Sequence, residues 1–442
     1  MSKNVGINQP KINVGSQPSL APSTGEAFST RYRWIVLALL VAIYSFNWLD
    51  RFIFIILMET IKEDLNLSNT QLGLLSGFVF SAVYSLMGLP IARLADRSNR
   101  RNIIVIGLTF WSVMTVFCGF AQSFVQLAVA RFGVGIGESS CSPSAYALIS
   151  DFFSQRQRAT AFAIYGLGIY FGISGGLMLG GWINEAYGWR TAFLVAGIPG
   201  ILLALIFWLV VEEPKRGQSD GKLAADDQPL STAELFTYLR TRKVFAASAI
   251  GIGFFMFTGN AIETWAPTFL IRVYGMSSGE VGSVLGTLSA FGGISGLLVT
   301  GLVADRLSKR DLRWYLWIPT ICGGMMIPSI ALFLILPGDS KFVFYLVAVF
   351  FGAGYLAPII AITQRIVPVR MRAMSSAIIL LSLNFIGIGS GTLFAGFMTD
   401  VLTPVYGQEA LRYALLLNLS GSVVGIGFML YSASRLDKEL SN

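Results

Sequence analysis

Histidine is absent from this 442-residue chain, and charged residues make up only 13% of it. Without histidine there is no imidazole for metal ligation, for a Ser-His-Asp arrangement or for a histidine proton relay. No cofactor is expected. The three cysteines, Cys118, Cys141 and Cys322, all fall in apolar stretches, so no disulfide framework is implied. An ordinary globular domain carries about 25% charge. Here hydrophobic residues reach 54% and the mean hydropathy is +0.66. So few charges cannot cover the surface of a soluble 48.0 kDa protein. Disordered, collagen-like and disulfide-scaffold classes fail on the same figures. The composition is that of an all-α integral membrane protein.

A helix needs about 20 apolar residues to cross a bilayer. Twelve windows meet this, near 34–58, 71–92, 103–122, 124–149, 159–183 and 191–211, then 244–271, 280–304, 314–337, 341–364, 373–399 and 411–432. They predict two six-helix bundles, 31–211 and 244–434, joined by a polar cytoplasmic linker at 212–243. The polar segment 1–30, rich in Pro, Ser and Gly and without the apolar core of a signal peptide, reads as a disordered cytoplasmic tail. Residues 435–442 read as a second tail. Lys and Arg in the tails and in the loops after even-numbered spans number 25, against five in the opposite loops. This bias predicts a multi-pass protein of the cell (inner) membrane with both termini in the cytoplasm. It also accounts for the net charge of +8 without nucleic acid, because the basic residues are scattered over short loops.

The two halves repeat each other. Ala95-Asp96-Arg97-Ser98-Asn99-Arg100-Arg101 follows span 2, and Ala304-Asp305-Arg306-Leu307-Ser308-Lys309-Arg310 follows span 8, 209 residues later. The same offset pairs Leu67-Ser68-x-x-Gln71-x-Gly73 with Met276-Ser277-x-x-Glu280-x-Gly282. Arg156-x-Arg158-Ala159 matches Arg370-x-Arg372-Ala373, and a glycine stripe at 172, 176 and 180 in span 5 matches one at 387, 391 and 396 in span 11. Four matches in the same order point to gene duplication, and parallel repeats of six helices are a transporter architecture. The Asp-Arg loop resembles the signature Gly-x3-Asp-Arg-x-Gly-x-Arg/Lys-Arg/Lys of the major facilitator superfamily. Gly301 opens the second copy, Ala92 stands at that place in the first, and Asn99 and Ser308 replace the second glycine. In this reading Asp96 and Asp305, with Arg97 and Arg306, form a cytoplasmic gate, an Asp accepting hydrogen bonds from the N-terminus of a helix in the other half. Arg97 or Arg100 would pair with Asp151. The plainer reading is that these charges set topology and keep the loops soluble.

A charge inside a span costs about 2.5–3.5 kcal/mol on insertion scales. Away from the span ends there are five: Asp50, Arg51, Arg131, Glu138 and Glu263. They are candidates for a switchable cluster lining a cavity, and the structural alternative is that Asp50 and Arg51 pin span 1 to span 4. Lacking histidine, any proton carrier must be a carboxylate, and Glu138 and Asp50 are the candidates. Arg51 and Arg131 stay charged, and Arg51 suits a phosphate or carboxylate head group taken bidentately. Glu263 sits in Asn260-Ala-Ile-Glu263-Thr-Trp265-Ala-Pro267, where Pro267 is expected to break the helix.

Asn47-Trp-Leu-Asp50-Arg51-Phe52 resembles the Asn-Tyr-x-Asp-Arg-Tyr segment of the spinster family, making Asn47 a further binding candidate. Arg131-Phe-Gly-Val-Gly-Ile-Gly-Glu138-Ser-Ser-Cys-Ser-Pro143 through Asp151-Phe-Phe is similar to its span 4 signature, with the proline earlier here, and Trp265-Ala-Pro267-x-Phe269-Leu270 fits its span 7. The resemblance implies a bacterial member of a family whose eukaryotic members export lysophospholipids and sphingosine-1-phosphate, and a proton-coupled carrier that moves an amphipathic cargo of the lysophospholipid or sphingoid-phosphate type. Organic-anion symporters share the first two segments and supply the alternative, a proton-linked carrier of sugar acids or carboxylates. Leu177 stands where the span 5 antiporter motif has proline, which weakens an antiport assignment. Four of the five intramembrane charges lie in the N-terminal half, and a cavity charged on one wall and apolar on the other suits a polar head with a hydrocarbon tail. A membrane-embedded enzyme would need a nucleophile with its base or a metal cluster, and a channel would not need two latched halves. The expected partners are an amphipathic anion, protons and membrane lipids, and the expected unit is a monomer.

Overall fold

The computed structural model describes residues 28–215, 242–367 and 372–440. Most of the segment read as a leading tail and most of the linker lie outside these residues. The described chain is a succession of helices that map onto twelve spans. Ten helical stretches are long and apolar enough to cross a membrane. The fourth span is not among them, and the last two run together as Ser375–Leu436.

Spans 1 to 6 are Thr30–Leu65, Asn69–Arg97, Arg100–Phe120, Phe124–Phe152, Gln155–Tyr187 and Trp189–Val210. Spans 7 to 12 are Lys243–Tyr274, Ser278–Leu307, Trp314–Ile335, Ser340–Ile366, Arg372–Tyr406 and Ala410–Leu440. The end of the molecule where spans 1 and 7 begin is called here the near face, and the opposite end the far face. At the far face spans 1 and 7 stop in the same way, in left-handed backbone at Asn66 (φ 51°) and Gly275 (φ 66°). These are the residue types that adopt that conformation at least cost, and they are separated by the 209 residues of the repeat.

The duplication extends to the defects in the helices. Span 4 is interrupted at Ser139–Ser140, between Phe124–Glu138 and Cys141–Phe152. Span 10 is interrupted at 353–355, between Ser340–Gly352 and Leu356–Ile366. In both, a proline stands in the first turn of the second segment, Pro143 and Pro358, where its missing N–H is no loss. Spans 2 and 11 each contain a wide π turn, Leu74–Phe78 and Leu383–Gly389. The two turns face each other, with Phe78 and Phe385 ring centroids 6.4 Å apart.

The halves meet along span 5 against span 8 and span 2 against span 11. The glycine stripes pack largely within each half: a Cβ on Gly176 would lie 2.7 Å from the Leu49 carbonyl oxygen of span 1, and one on Gly391 2.2 Å from that of Phe257 in span 7; one on Gly396 instead meets the other half, 2.3 Å from the Asn69 carbonyl oxygen. Small residues that let helices approach closely replace the hydrophobic driving force that lipid does not provide. Two expectations are corrected. Span 7 runs unbroken through Pro267 to Tyr274, so the proline only removes the hydrogen bond that the Glu263 carbonyl would have received. Residues 435–440, read as tail, continue span 12 as helix, and its end is tied to the start of span 7, where Glu439 accepts the Val244 N–H at 2.9 Å.

Candidate functional site

Glu138 is the last residue of the first segment of span 4. A carboxylate at a helix C-terminus faces the negative end of the dipole, and this one is fully buried. Its compensation comes from span 1: Arg51 donates from Nε to Glu138 Oε2 at 2.7 Å, and from Nη2 to Asn47 Oδ1, one turn earlier, at 3.1 Å. The Arg51 side chain is 14% exposed and that of Glu138 0%. Aromatic rings surround it: Trp48 at 4.8 Å, Phe80 at 4.4 Å and Tyr84 at 5.0 Å from ring centroid to guanidinium carbon. Each ring face offers the cation a weak electrostatic partner without competing for its N–H groups.

Arg131 lies deeper toward the far face, over the rings of Phe54 (4.8 Å) and Phe80 (5.5 Å). Phe80 thus contacts both guanidinium groups. Among the described residues Arg131 makes no ion pair within 4 Å. Asp50 is buried and receives the Thr115 hydroxyl at 2.5 Å on Oδ2. Asp50 Oδ1, Glu138 Oε1, Arg131 Nε and Asn47 Nδ2 have no hydrogen-bond partner among the described residues. An unsatisfied buried polar atom costs about 1–3 kcal/mol. Four such atoms belong to this cluster.

The other candidates are dispersed. Glu263 lies in span 7, in the opposite half, within electrostatic reach of Tyr170, Tyr345 and Tyr355. At the near face Arg100 ties three elements of the N-terminal half together: it pairs with Asp151, with Glu213 at 2.7 Å, and with the Pro214 carbonyl at 3.0 Å. Arg97 and Arg306 are exposed. Among the described residues the Asp305 carboxylate accepts only a long hydrogen bond from Tyr315 of its own half, at 3.4 Å. The Asp96 side chain lies outside the described ones, as does the chain from 368 to 371 before span 11.

Sequence reasoning missed the polar contacts that join the halves at the far face. Arg272, at the end of span 7, grips the Glu59 carboxylate of span 1 with Nε at 3.0 Å and Nη2 at 2.6 Å, and reaches Asn69 Oδ1 at 2.9 Å. Asp400 of span 11 and Glu185 of span 5 also cross to the other half. These charges stand at span ends, where charge is cheap and reads as loop solvation.

Residues 40–392 match the family model of the Major Facilitator Superfamily. The chain belongs to that superfamily. It is a multi-pass membrane transporter built on the major facilitator fold, not an enzyme. A solved structure of a bacterial homolog to the human lysosomal transporter spinster, in an inward-facing and unoccupied conformation, superposes with a TM-score of 0.83 at 29% identity, covering 93% of this chain and 99% of that one. A Mycolicibacterium smegmatis protein named an MFS-type efflux pump is 36% identical, over 91% of this chain and 93% of its own length. A Bacillus subtilis protein named a probable galactarate/D-glucarate transporter is 29% identical over 74% and 77%.

Proposed function

We propose that this transporter works by alternating access, couples to protons, and carries an amphipathic anion of the lysophospholipid or sphingoid-phosphate type. The observation that supports this most is Arg51: a partly exposed guanidinium walled by Trp48, Phe80 and Tyr84, with a fully buried carboxylate behind it. The anionic head of the cargo and Glu138 compete for the same N–H groups. When the head takes them, Glu138 is left as a buried carboxylate without its cation, and the state of lowest free energy is the protonated one. Anion and proton binding are therefore linked, and by reciprocity each strengthens the other. Asp50, held by Thr115 near the free edge of Arg131, is the second group through which a proton passes. The aromatic wall and the apolar C-terminal half take the hydrocarbon part.

The bias of Lys and Arg supports a near face and both termini in the cytoplasm, in a protein of the cell (inner) membrane. The far-face contacts then close the outer side, in keeping with the inward-facing relative. One chain holds both walls of the path, so the monomer is the working unit. A second reading, a proton-linked symporter of sugar acids, draws on the Bacillus relative. Equilibrium binding to nanodisc-embedded protein separates them. Lysophosphatidate should bind more tightly as its acyl chain lengthens, by up to about 0.8 kcal/mol, or fourfold, per buried methylene, and Arg51→Ala should abolish recognition of the head group. Tight binding of glucarate, with no chain-length response among the lipids, would favour the symporter.

A further inference from the structure

The second of the repeated motifs, Ser68-x-x-Gln71 and Ser277-x-x-Glu280, carries no charge cluster and no place in the cargo site, yet it recurs at the 209-residue offset. In the structure both copies are capping boxes at the far-face starts of spans 2 and 8. Ser68 Oγ accepts the Gln71 N–H at 3.1 Å while Gln71 Oε1 accepts the Ser68 N–H at 2.9 Å. Ser277 Oγ accepts the Glu280 N–H at 3.2 Å while Glu280 Oε2 accepts the Ser277 N–H at 3.1 Å. A capping box satisfies the N–H groups of the cap residue and of the third helical residue. Those of the first and second residues still point out of the helix.

Three of these four leftover donors are taken by the other half. Asp400, near the end of span 11, accepts the Asn69 N–H on Oδ1 at 3.0 Å and the Thr70 N–H on Oδ2 at 2.7 Å. The Asn69 amide (2.7 Å) and Thr70 hydroxyl (2.6 Å) donate to the same two oxygens. Glu185, near the end of span 5, accepts the Gly279 N–H at 3.0 Å and the Ser277 hydroxyl at 2.9 Å on Oε2. Asp400 and Glu185 stand 215 residues apart, the offset of the glycine pairs 172/387 and 176/391 in the same two spans. The two contacts are thus one device, duplicated. Each half ends a helix with the carboxylate that completes the start of a helix in the other half.

We propose that Asp400 and Glu185 are paired far-face latches of the transport cycle: opening this face requires both carboxylates to leave the helix starts they cap. Helix dipole and N–H groups favour an anion there, and separating the halves exposes both to water. Spans 2 and 8 carry the Asp-Arg loops at their near-face ends. Among the described residues the Asp305 carboxylate reaches only Tyr315, and Ser154, at the start of span 5, makes no side-chain cap. The device needs no knowledge of the cargo.

The test is the distance between spin labels at Tyr187→Cys and Val405→Cys. Both are exposed ends of the latch helices in opposite halves, and the three native cysteines are replaced by alanine. Asp400→Asn with Glu185→Gln keeps side-chain shape and removes both charges. The population with separated far ends should rise about tenfold, the equivalent of about 1.4 kcal/mol for two helix-terminus charges. Asp400→Glu with Glu185→Asp should restore most of the short distance, which loss of mere packing would not predict. If the double variant does not fold, Asp400→Asn alone carries the test, with a smaller change in the same direction. An unchanged distribution in folded protein overturns the proposal, whatever the cargo proves to be.

Discussion

Replacing Glu138 by glutamine tests the competition for Arg51 with little change of shape. In the wild type the cargo head must displace a charge-assisted hydrogen bond of 2.7 Å from Arg51 Nε. Hydrogen bonds to charged groups contribute about 1.5–3 kcal/mol net. Glutamine still offers a carbonyl oxygen to Arg51 but no charge, so most of that competition disappears. Lysophosphatidate should therefore bind Glu138→Gln roughly tenfold more tightly than the wild type, taking the lower end of that range. The gain should appear in mildly alkaline buffer, where the wild-type carboxylate is ionised and holds Arg51. It should vanish in acid, where protonation already frees the arginine. Wild-type affinity should accordingly fall as pH rises, and affinity of the variant should stay flat across the same interval. Isothermal titration calorimetry in nanodiscs at two pH values measures both. A variant that binds more weakly than wild type, or that keeps the wild-type pH slope, would refute the competition.

Two further substitutions test the surroundings of the site. Arg272→Ala removes both bonds to Glu59 and the one to Asn69; breaking one partner of a buried pair costs about 3–5 kcal/mol, so the thermal unfolding temperature should drop and the far-face label distances should lengthen. Asp50→Asn keeps the Thr115 contact and removes a charge that acts on Arg131; equilibrium binding of lysophosphatidate should change less than about threefold, while gradient-driven uptake into proteoliposomes should fall at least about tenfold.

The spans and the duplication were legible because lipid imposes a length and an apolar content that no soluble helix needs. The five intramembrane charges were legible because each is costly where it stands. Their pairing was not. Spacing along span 4 sets Arg131 and Glu138 on one face, yet Glu138 pairs with Arg51, 87 residues away in sequence, once the break at Ser139–Ser140 fixes where its carboxylate points. Pro143 marked that break without locating it. Conversely Pro267 looked like a breaker and is not one, because packing around buried Trp265 and Phe269 holds span 7 together. Asp400 and Glu185 carried a signal, acids at matching ends of spans 5 and 11, but their meaning depends on which helix start lies opposite. Only the assembled bundle shows that.

The central claim is that a proton accompanies the anion because both act on Arg51 and Glu138. It is tested most directly by counting the protons taken up when wild-type protein binds lysophosphatidate, from calorimetric enthalpies in buffers of different ionisation heat. In mildly alkaline solution the expected uptake is about one proton per cargo, falling to none in Glu138→Gln. Tight binding with no proton uptake in the wild type would contradict the account.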